Sequence, residues 1–353
     1  MEKLLKILDE IKPIDTELGK RAKERLDQLT KPKESLGRLE EFAEKIVSIT
    51  GKLRPQITKK IIFTFAGDHG VAEEGVSAFP KEVTPQMVLN FLRGGAGVNA
   101  LAMCAGAEVK VIDIGVDFDF NEEDSLHEKL IRRKIIRGTK NIIKGAAMTM
   151  DETLKCINVG IELATGFATE GAIFGTGEMG IANTTPSSAI AACFTGLEAR
   201  KVTGRGTGID GVSYNKKVGV IEEALRVNDA NPKDPLSVLA KLGGAEIAGI
   251  TGLIIGSAIA KVPVVIDGFI STAGALVATE LCPRIKGYLF SAHRSVEQGH
   301  GAMLEKMNLR PFLNLDLRLG EGTGAVLGIQ LLEAALSVYN NMASFEDAGV
   351  SRN

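Results

Sequence analysis

Apolar residues recur at helical spacing through the first fifty positions. Leu4, Leu5, Ile7, Leu8 and Ile11 form one stripe, and the spacing predicts further helices over Asp15–Leu29 and Ser35–Thr50, the last closed by Gly51. Lys31-Pro32-Lys33 separates the second from the third. Acidic and basic residues alternate on their outer faces, as on a solvated surface. From Lys60 the pattern changes to short, continuous apolar runs of the kind found in strands buried on both faces, beginning with Ile61-Ile62-Phe63-Thr64-Phe65. Val109–Ile114, Lys134–Arg137, Ala172–Phe174, Val262–Ile266 and Tyr288–Ser291 are the further strand candidates. Each leads into a glycine-containing or polar loop and most then into a helix pattern, an alternation that predicts a doubly wound, Rossmann-like α/β parallel sheet. Ligands of such sheets bind beyond the carboxyl ends of the strands where strand order reverses. The loops at Gly67, Gly115, Gly175, Asp267 and Ser291 are therefore expected to share one crevice.

The connection Asp68–Val83 is long and carries Gly70, Gly75 and Pro80, which marks it as a candidate lid or binding loop. Thr84-Pro85 then predicts a helix start, with the Thr84 hydroxyl capping and Pro85 in the first position, leaving Gln86 in the first turn.

Composition narrows the function classes. A chain of 353 residues can bury a substantial core. The formal charge of −2 leaves no basic field, and with 5% aromatics and no Trp there are few platforms for stacking bases, so nucleic acid is not an expected partner. The 40 glycines accompany 44% apolar residues, which points to close backbone packing rather than disorder. Cys104, Cys156, Cys193 and Cys282 lie far apart in apolar surroundings without metal-type or redox-type spacing and read as core thiols in a reducing cytosol. The longest apolar run, Ile247–Ala260, falls short of the ~20 residues of a membrane span, and the first residues lack a signal-type core. A soluble cytoplasmic protein is expected.

Two stretches place a single acid among glycines. In Arg318-Leu319-Gly320-Glu321-Gly322-Thr323-Gly324 the acid follows an apolar run and precedes a helix pattern. Either Glu321 is presented to a ligand at a bend, or Thr323 caps the helix and Glu321 complements its dipole. The same design recurs in Gly175-Thr176-Gly177-Glu178-Met179-Gly180-Ile181-Ala182-Asn183-Thr184-Thr185, and the repetition favours presentation of Glu178 and Glu321 at strand ends. Met179 and Leu319 flank the two acids and offer an apolar slot, although a lone Met fits a core equally. In Gly204-Arg205-Gly206-Thr207-Gly208, followed by Lys216-Lys217, backbone N–H groups can be aimed at a phosphate beside an ammonium; a surface loop fits as well. It is neither a Walker loop nor a GxGxxG fingerprint. Asp68-His69 reads as a loop-ordering pair rather than a metal site, because His69, His127, His293 and His300 show no paired ligand spacing. Asp267 fits both a ribose contact and a cap for the helix from Phe269.

Taken in order and spacing, these stretches closely resemble the nicotinate-nucleotide:dimethylbenzimidazole phosphoribosyltransferase family. Ala66-Gly67-Asp68-His69-Gly70-Val71, Val83-Thr84-Pro85-Gln86-Met87, Arg200–Asp210, Gly243-Gly244-Ala245-Glu246-Ile247, Val265-Ile266-Asp267-Gly268-Phe269 and Ser291-Ala292-His293 extend the resemblance over most of the chain. It implies transfer of the 5-phosphoribosyl group of nicotinate mononucleotide to 5,6-dimethylbenzimidazole, giving α-ribazole 5′-phosphate for cobalamin; no cofactor is expected and, from the histidine spacing, no catalytic metal. It implies Glu321 as base on the azole and Glu178 beside the ribose and its cationic transition state. The phosphoribosyl group would be held by Gly177, Gly180, Asn183, Gly204, Arg205, Gly206, Thr207, Gly208, Lys217 and Ser291, and the azole by Gln86, Met179 and Leu319. A homodimer is implied. So is a small helical domain assembled from residues 1–52 and 325–353 around a catalytic α/β domain of residues 53–324. A nucleotide-dependent dehydrogenase, disfavoured by the missing fingerprint, and a non-catalytic nucleotide sensor are the alternatives.

Overall fold

The computed structural model describes residues 1–120 and 129–351, so His127 lies outside the described residues. Six strands, β1 (Lys59–Gly67), β2 (Glu108–Gly115), β3 (Leu130–Arg132), β4 (Ala172–Met179), β5 (Val264–Ile266) and β6 (Leu289–Ser291), form one parallel sheet among the described residues. Their order is β3-β2-β1-β4-β5-β6, with helices packed against it, so the sheet is doubly wound and its order reverses between β1 and β4. In β1, Ile61 to Ala66 are fully buried, which is why this strand reads as an unbroken apolar run.

Two strand boundaries differ from the pattern. Lys134–Arg137 is not a strand; the edge strand is Leu130–Arg132, paired with Val111 to Asp113. After it the chain leaves the sheet while Arg133 and Ile135 still donate N–H bonds to Asp113 and Ile114, and Lys134 Nζ stands 3.1 Å from the Asp113 carboxylate. At β4 the strand does not end at Phe174 but runs through Gly175 and Gly177 to Met179, in register with β1 from Lys59↔Ala172 to Ala66↔Met179.

The capping predicted for Thr84 is also replaced. The helix Val83–Arg93 begins before it, and the Val83 and Thr84 N–H groups are taken by Pro80 and Lys81 carbonyls. That frees the buried Thr84 hydroxyl to accept the Ile181 N–H at 3.1 Å, tying this helix to the loop after β4. The apolar stretch Val83–Ala105, long enough by composition to cross a membrane, is two helices broken at Gly94, whose φ is +80°.

The terminal segments meet. Helices Thr16–Leu26 and Arg38–Thr50 pack together, and the latter lies on the helix Thr323–Asn341. Arg25 Nε donates to the Tyr339 carbonyl at 3.1 Å, and Thr30 N–H to the Ala343 carbonyl at 3.0 Å. The helix Thr323–Asn341 also lies against β4 and β5, so its first turn stands over the switch point.

Candidate active site

β1 and β4 end side by side, with Phe65 opposite Glu178 and Ala66 opposite Met179. Glu178 is thus the penultimate residue of β4, at a strand end as expected, but Gly175 and Gly177 lie within the strand rather than breaking it. Those glycines serve close approach instead. A Cβ on Gly177 would stand 2.7 Å from the Glu321 carbonyl carbon and 3.0 Å from Gly322 N, so β4 and the turn before Thr323 touch backbone to backbone.

At Glu321 the bend is real. Gly320, Glu321 and Gly322 take φ of +81°, +65° and +105°, three consecutive residues in the left-handed region, of which only the acid pays a Cβ penalty. Several contacts hold the turn in that form. The Thr64 hydroxyl donates to the Glu321 carbonyl at 2.9 Å. Asp267, from the end of β5, accepts N–H bonds from Gly322 at 3.1 Å on Oδ2, and from Gly324 at 2.6 Å and Ala325 at 3.1 Å on Oδ1. Asp267 therefore caps the helix Thr323–Asn341, whereas the helix after Gly268 has no side-chain cap; the carboxylate is buried, with backbone N–H groups on both oxygens. The Thr323 hydroxyl donates to the Gly320 carbonyl and does not cap.

The Glu321 side chain reaches the start of the helix Gly97–Ala105, where Oε2 accepts the Val98 N–H at 3.0 Å. Burial pushes this carboxyl above its ordinary range and the Val98 and Gly97 N–H groups pull it partly back, leaving it raised. Glu178 is pushed further, to about 8, first by burial and then by the charges of Asp267, Glu246 and Glu321, against a hydrogen bond from Asn183 Nδ2 to its Oε2. Asp267 is pushed up to about 7 by burial, with its three N–H donors opposing and Glu321 adding to the rise.

A stability test follows for Glu178. The folded protein keeps this proton up to about pH 8, while the unfolded chain releases it near 4.5. The folded state binds more protons between those values, so stability falls as pH rises through that window and levels off above it. Glu178→Gln removes that loss, and its melting temperature relative to the unaltered protein should rise by roughly several degrees between pH 5 and pH 8. A difference that stays flat across this range would contradict a buried, protonated Glu178.

His69 pairs with Glu246 rather than with Asp68: its Nε2 lies 2.8 Å from Glu246 Oε1, both buried. Burial lowers the imidazole, but the charge and hydrogen bond of Glu246 and the charge of Asp68 outweigh it and leave the pKa raised. Asp68 Oδ2 accepts the Asp117 N–H at 2.8 Å, so both residues order loops around the strand ends.

Between these strand ends and the glycine loop lies a cavity of about 440 Å³, within the range of small-molecule sites. It collects Glu178, Met179, Gly180, Asn183, Gly206, Thr207, Leu319 and Glu321 from the expected site residues. Gln86 is not among its lining residues. That side chain is exposed, and Val83 and Met87, one helical turn apart, face the cavity instead. Gly204, Arg205 and Gly208 line a neighbouring pocket, and Ser291 is buried at the end of β6. Lys217 is wholly buried with Nζ donating to Thr184 Oγ1 at 2.7 Å; burial lowers its pKa to about 8, opposed by the charge of Glu297. The glycine loop does not pool its amides: Gly206 N–H goes to Glu297 Oε1 at 2.9 Å, and Gly208 N–H to the Arg205 carbonyl at 3.0 Å. The loop from Asp68 reaches over it, with Ala78 N–H donating to Thr207 Oγ1 at 2.9 Å and Phe79 lining the cavity. Thr184, His293, Ser295, Glu297 and Arg318 add polar side chains to the lining. No glycine frames Glu297, and only its nearness to Ser291-Ala292-His293 could have drawn attention to it.

Comparison with known proteins identifies the family. A family profile described as Phosphoribosyltransferase matches residues 11–350. The chain is 57% identical over 352 residues to the nicotinate-nucleotide:dimethylbenzimidazole phosphoribosyltransferase of Geotalea uraniireducens (strain Rf4), covering 99% of each protein. It is also 57% identical to the protein of that name from Geobacter sulfurreducens, again over 99% of each. Among solved structures, the enzyme of that name from Thermus thermophilus superposes with a TM-score of 0.89 at 42% identity, covering 96% of this chain and 100% of that one. A structure of CobT from the same organism gives a TM-score of 0.90 at 44% identity with the same coverage. With the profile spanning nearly its whole length and relatives matching it end to end, the chain belongs to the nicotinate-nucleotide:dimethylbenzimidazole phosphoribosyltransferase family.

Proposed function

We propose that the protein transfers the 5-phosphoribosyl group of nicotinate mononucleotide to 5,6-dimethylbenzimidazole, releasing nicotinate and forming α-ribazole 5′-phosphate for the lower ligand of cobalamin. The observation that carries the reading is the pair of buried acids, Glu321 and Glu178, lining one cavity at the strand-order reversal. Nicotinate leaves from a cationic N-ribosyl pyridinium, so cleavage neutralises it and needs no general acid. The azole must lose its N–H proton as its other nitrogen bonds to C1′. One base suffices, and Glu321 has the raised basicity and the fixed orientation for that step. A cationic donor beside Glu178 favours its ionised form, so that acid would steady the positive charge that builds on the ribose. Leu319 and Met179 offer the azole an apolar wall, with Gln86 beyond the cavity edge.

Product configuration tests this route. A single displacement turns the β-linked donor into an α-linked product, whereas a covalent ribosyl-Glu178 intermediate would restore β. Incubating the protein with both substrates and assigning the product anomer by NMR should give the α form; no nicotinate release, or a β-ribazole phosphate, would overturn the reading.

The 5′-phosphate belongs, in this reading, near Thr184, Gly206 and the Lys217 ammonium, with Gly180 and Asn183 beside it and Gly204, Arg205, Gly208 and Ser291 as surrounding framework. Lys217→Met keeps the buried stem volume and removes the charge. The mononucleotide should bind about 10- to 100-fold more weakly, and the azole unchanged, by calorimetric titration. Equal weakening of both would point to misfolding.

A homodimer in the cytoplasm completes the reading. Leu319, Phe79 and Met103 are exposed apolar side chains, 60%, 53% and 82% accessible, the kind of surface a second copy covers; the cysteines are free thiols, Cys156 and Cys282 in the core but Cys104 exposed on its helix and Cys193 half-buried.

A further inference from the structure

Glu297 is the least explained acid in the cavity wall. It stands at the N-cap of the helix Gln298–Met307, where its carboxylate could take the first-turn N–H groups, yet it makes no side-chain cap. It reaches across the cavity wall instead, and Oε1 accepts the Gly206 N–H at 2.9 Å. Oε2 is buried with no hydrogen-bond partner among the described residues, in a side chain 7% exposed. The backbone opposite is shaped for it: a Cβ on Gly204 would stand 2.6 Å from Glu297 Cδ, so that position leaves room for the carboxylate only as glycine.

A buried carboxylate oxygen without a donor is costly, and a residue of the cavity wall that forgoes its own helix and leaves such an oxygen unpaired points to a ligand that donates. Resting on the phosphoribosyl donor proposed above, the choice is narrow. A dianionic phosphate and the nicotinate carboxylate offer no donor, and the azole N–H belongs to Glu321. The ribose hydroxyls remain.

We propose that Glu297 Oε2 accepts a hydrogen bond from a ribose hydroxyl of the donor, so that Glu297 selects ribose over deoxyribose while its other oxygen fixes the glycine loop. The lysine and arginine nearby then serve the phosphate: Lys217 Nζ is held by Thr184, and Arg318 Nη1 donates to the Gly206 carbonyl at 3.1 Å.

The test is a set of calorimetric titrations of the full-length protein with nicotinate mononucleotide and its 2′-deoxy and 3′-deoxy analogues. The unaltered protein should prefer the ribose form over at least one analogue by about 10- to 100-fold, the factor a hydrogen bond to a charged group supplies. Glu297→Gln keeps the shape and can still accept from Gly206 but presents an NH₂ where Oε2 was. Gly204→Ala leaves the acid intact and displaces it. Both should bring the preference to within about threefold, chiefly by weakening the ribose form. An unaltered protein that binds all three alike, as it would if Oε2 only held a water, overturns the proposal, and so does a preference that survives in both variants. If Glu297→Gln fails to fold, as a thermal melt would show, Gly204→Ala and the unaltered protein decide between them. Because these titrations read binding, absence of nicotinate release with dimethylbenzimidazole would defeat the proposed reaction without obscuring the result for Glu297.

Discussion

Glu321→Gln is expected to lower turnover by roughly two to four orders of magnitude with both substrates still bound, the range spanned by loss of a general base. The amide keeps an oxygen for the Val98 N–H and fits the same left-handed turn, so little but the proton acceptor is removed. Single-turnover rates with dimethylbenzimidazole, beside dissociation constants for each substrate, make the comparison. Near-normal turnover would transfer the base to Glu178; if Glu178→Gln is also active, the acid-base account fails.

Gly177→Ala should approach that loss without touching an ionisable group. The added methyl would press on the Glu321 carbonyl carbon and Gly322 nitrogen, which are backbone and pinned by Thr64 and Asp267. Something must give by about an ångström, and a misplacement of that size can cost about 10²-fold in rate, with about 1–3 kcal/mol of stability lost to overpacking. Gly219→Ala, in the helix Gly211–Asn228 with open space around the new methyl, is the control and should leave rate unchanged and stability equal or slightly higher. The prediction fails if kcat and melting temperature of Gly177→Ala match those of Gly219→Ala.

Gly177 also shows where the sequence stops being legible. β1 is plain because every residue from Ile61 to Ala66 is buried, so the apolar run and the strand coincide. β4 looks half its length, since Gly175 and Gly177 resemble breakers until the helix that crosses them is known. Glu321 could be found because three left-handed residues in a row require glycine neighbours, and glycine is visible in a sequence. Gln86 could not be placed well, because starting its helix at Val83 turns Val83 and Met87 inward and Gln86 out. Asp267 binds N–H groups 55 to 58 residues away, and Glu297 those of a loop 91 residues earlier. No local pattern records such partners.

The Val98–Glu321 bond spans 223 residues, and the acid lies near the carboxyl end of the chain while its cradle comes from the first third. Pairings nearer in sequence, such as β1 with β2, can form earlier, but a contact this distant waits for most of the sheet. During synthesis the strands that line the cavity leave the ribosome well before Glu321 does, and domains fold as units from the amino end. An unfinished chain would therefore carry a partial cavity without Glu321, the base proposed above, and that chemistry would begin only once the helix Thr323–Asn341 has docked.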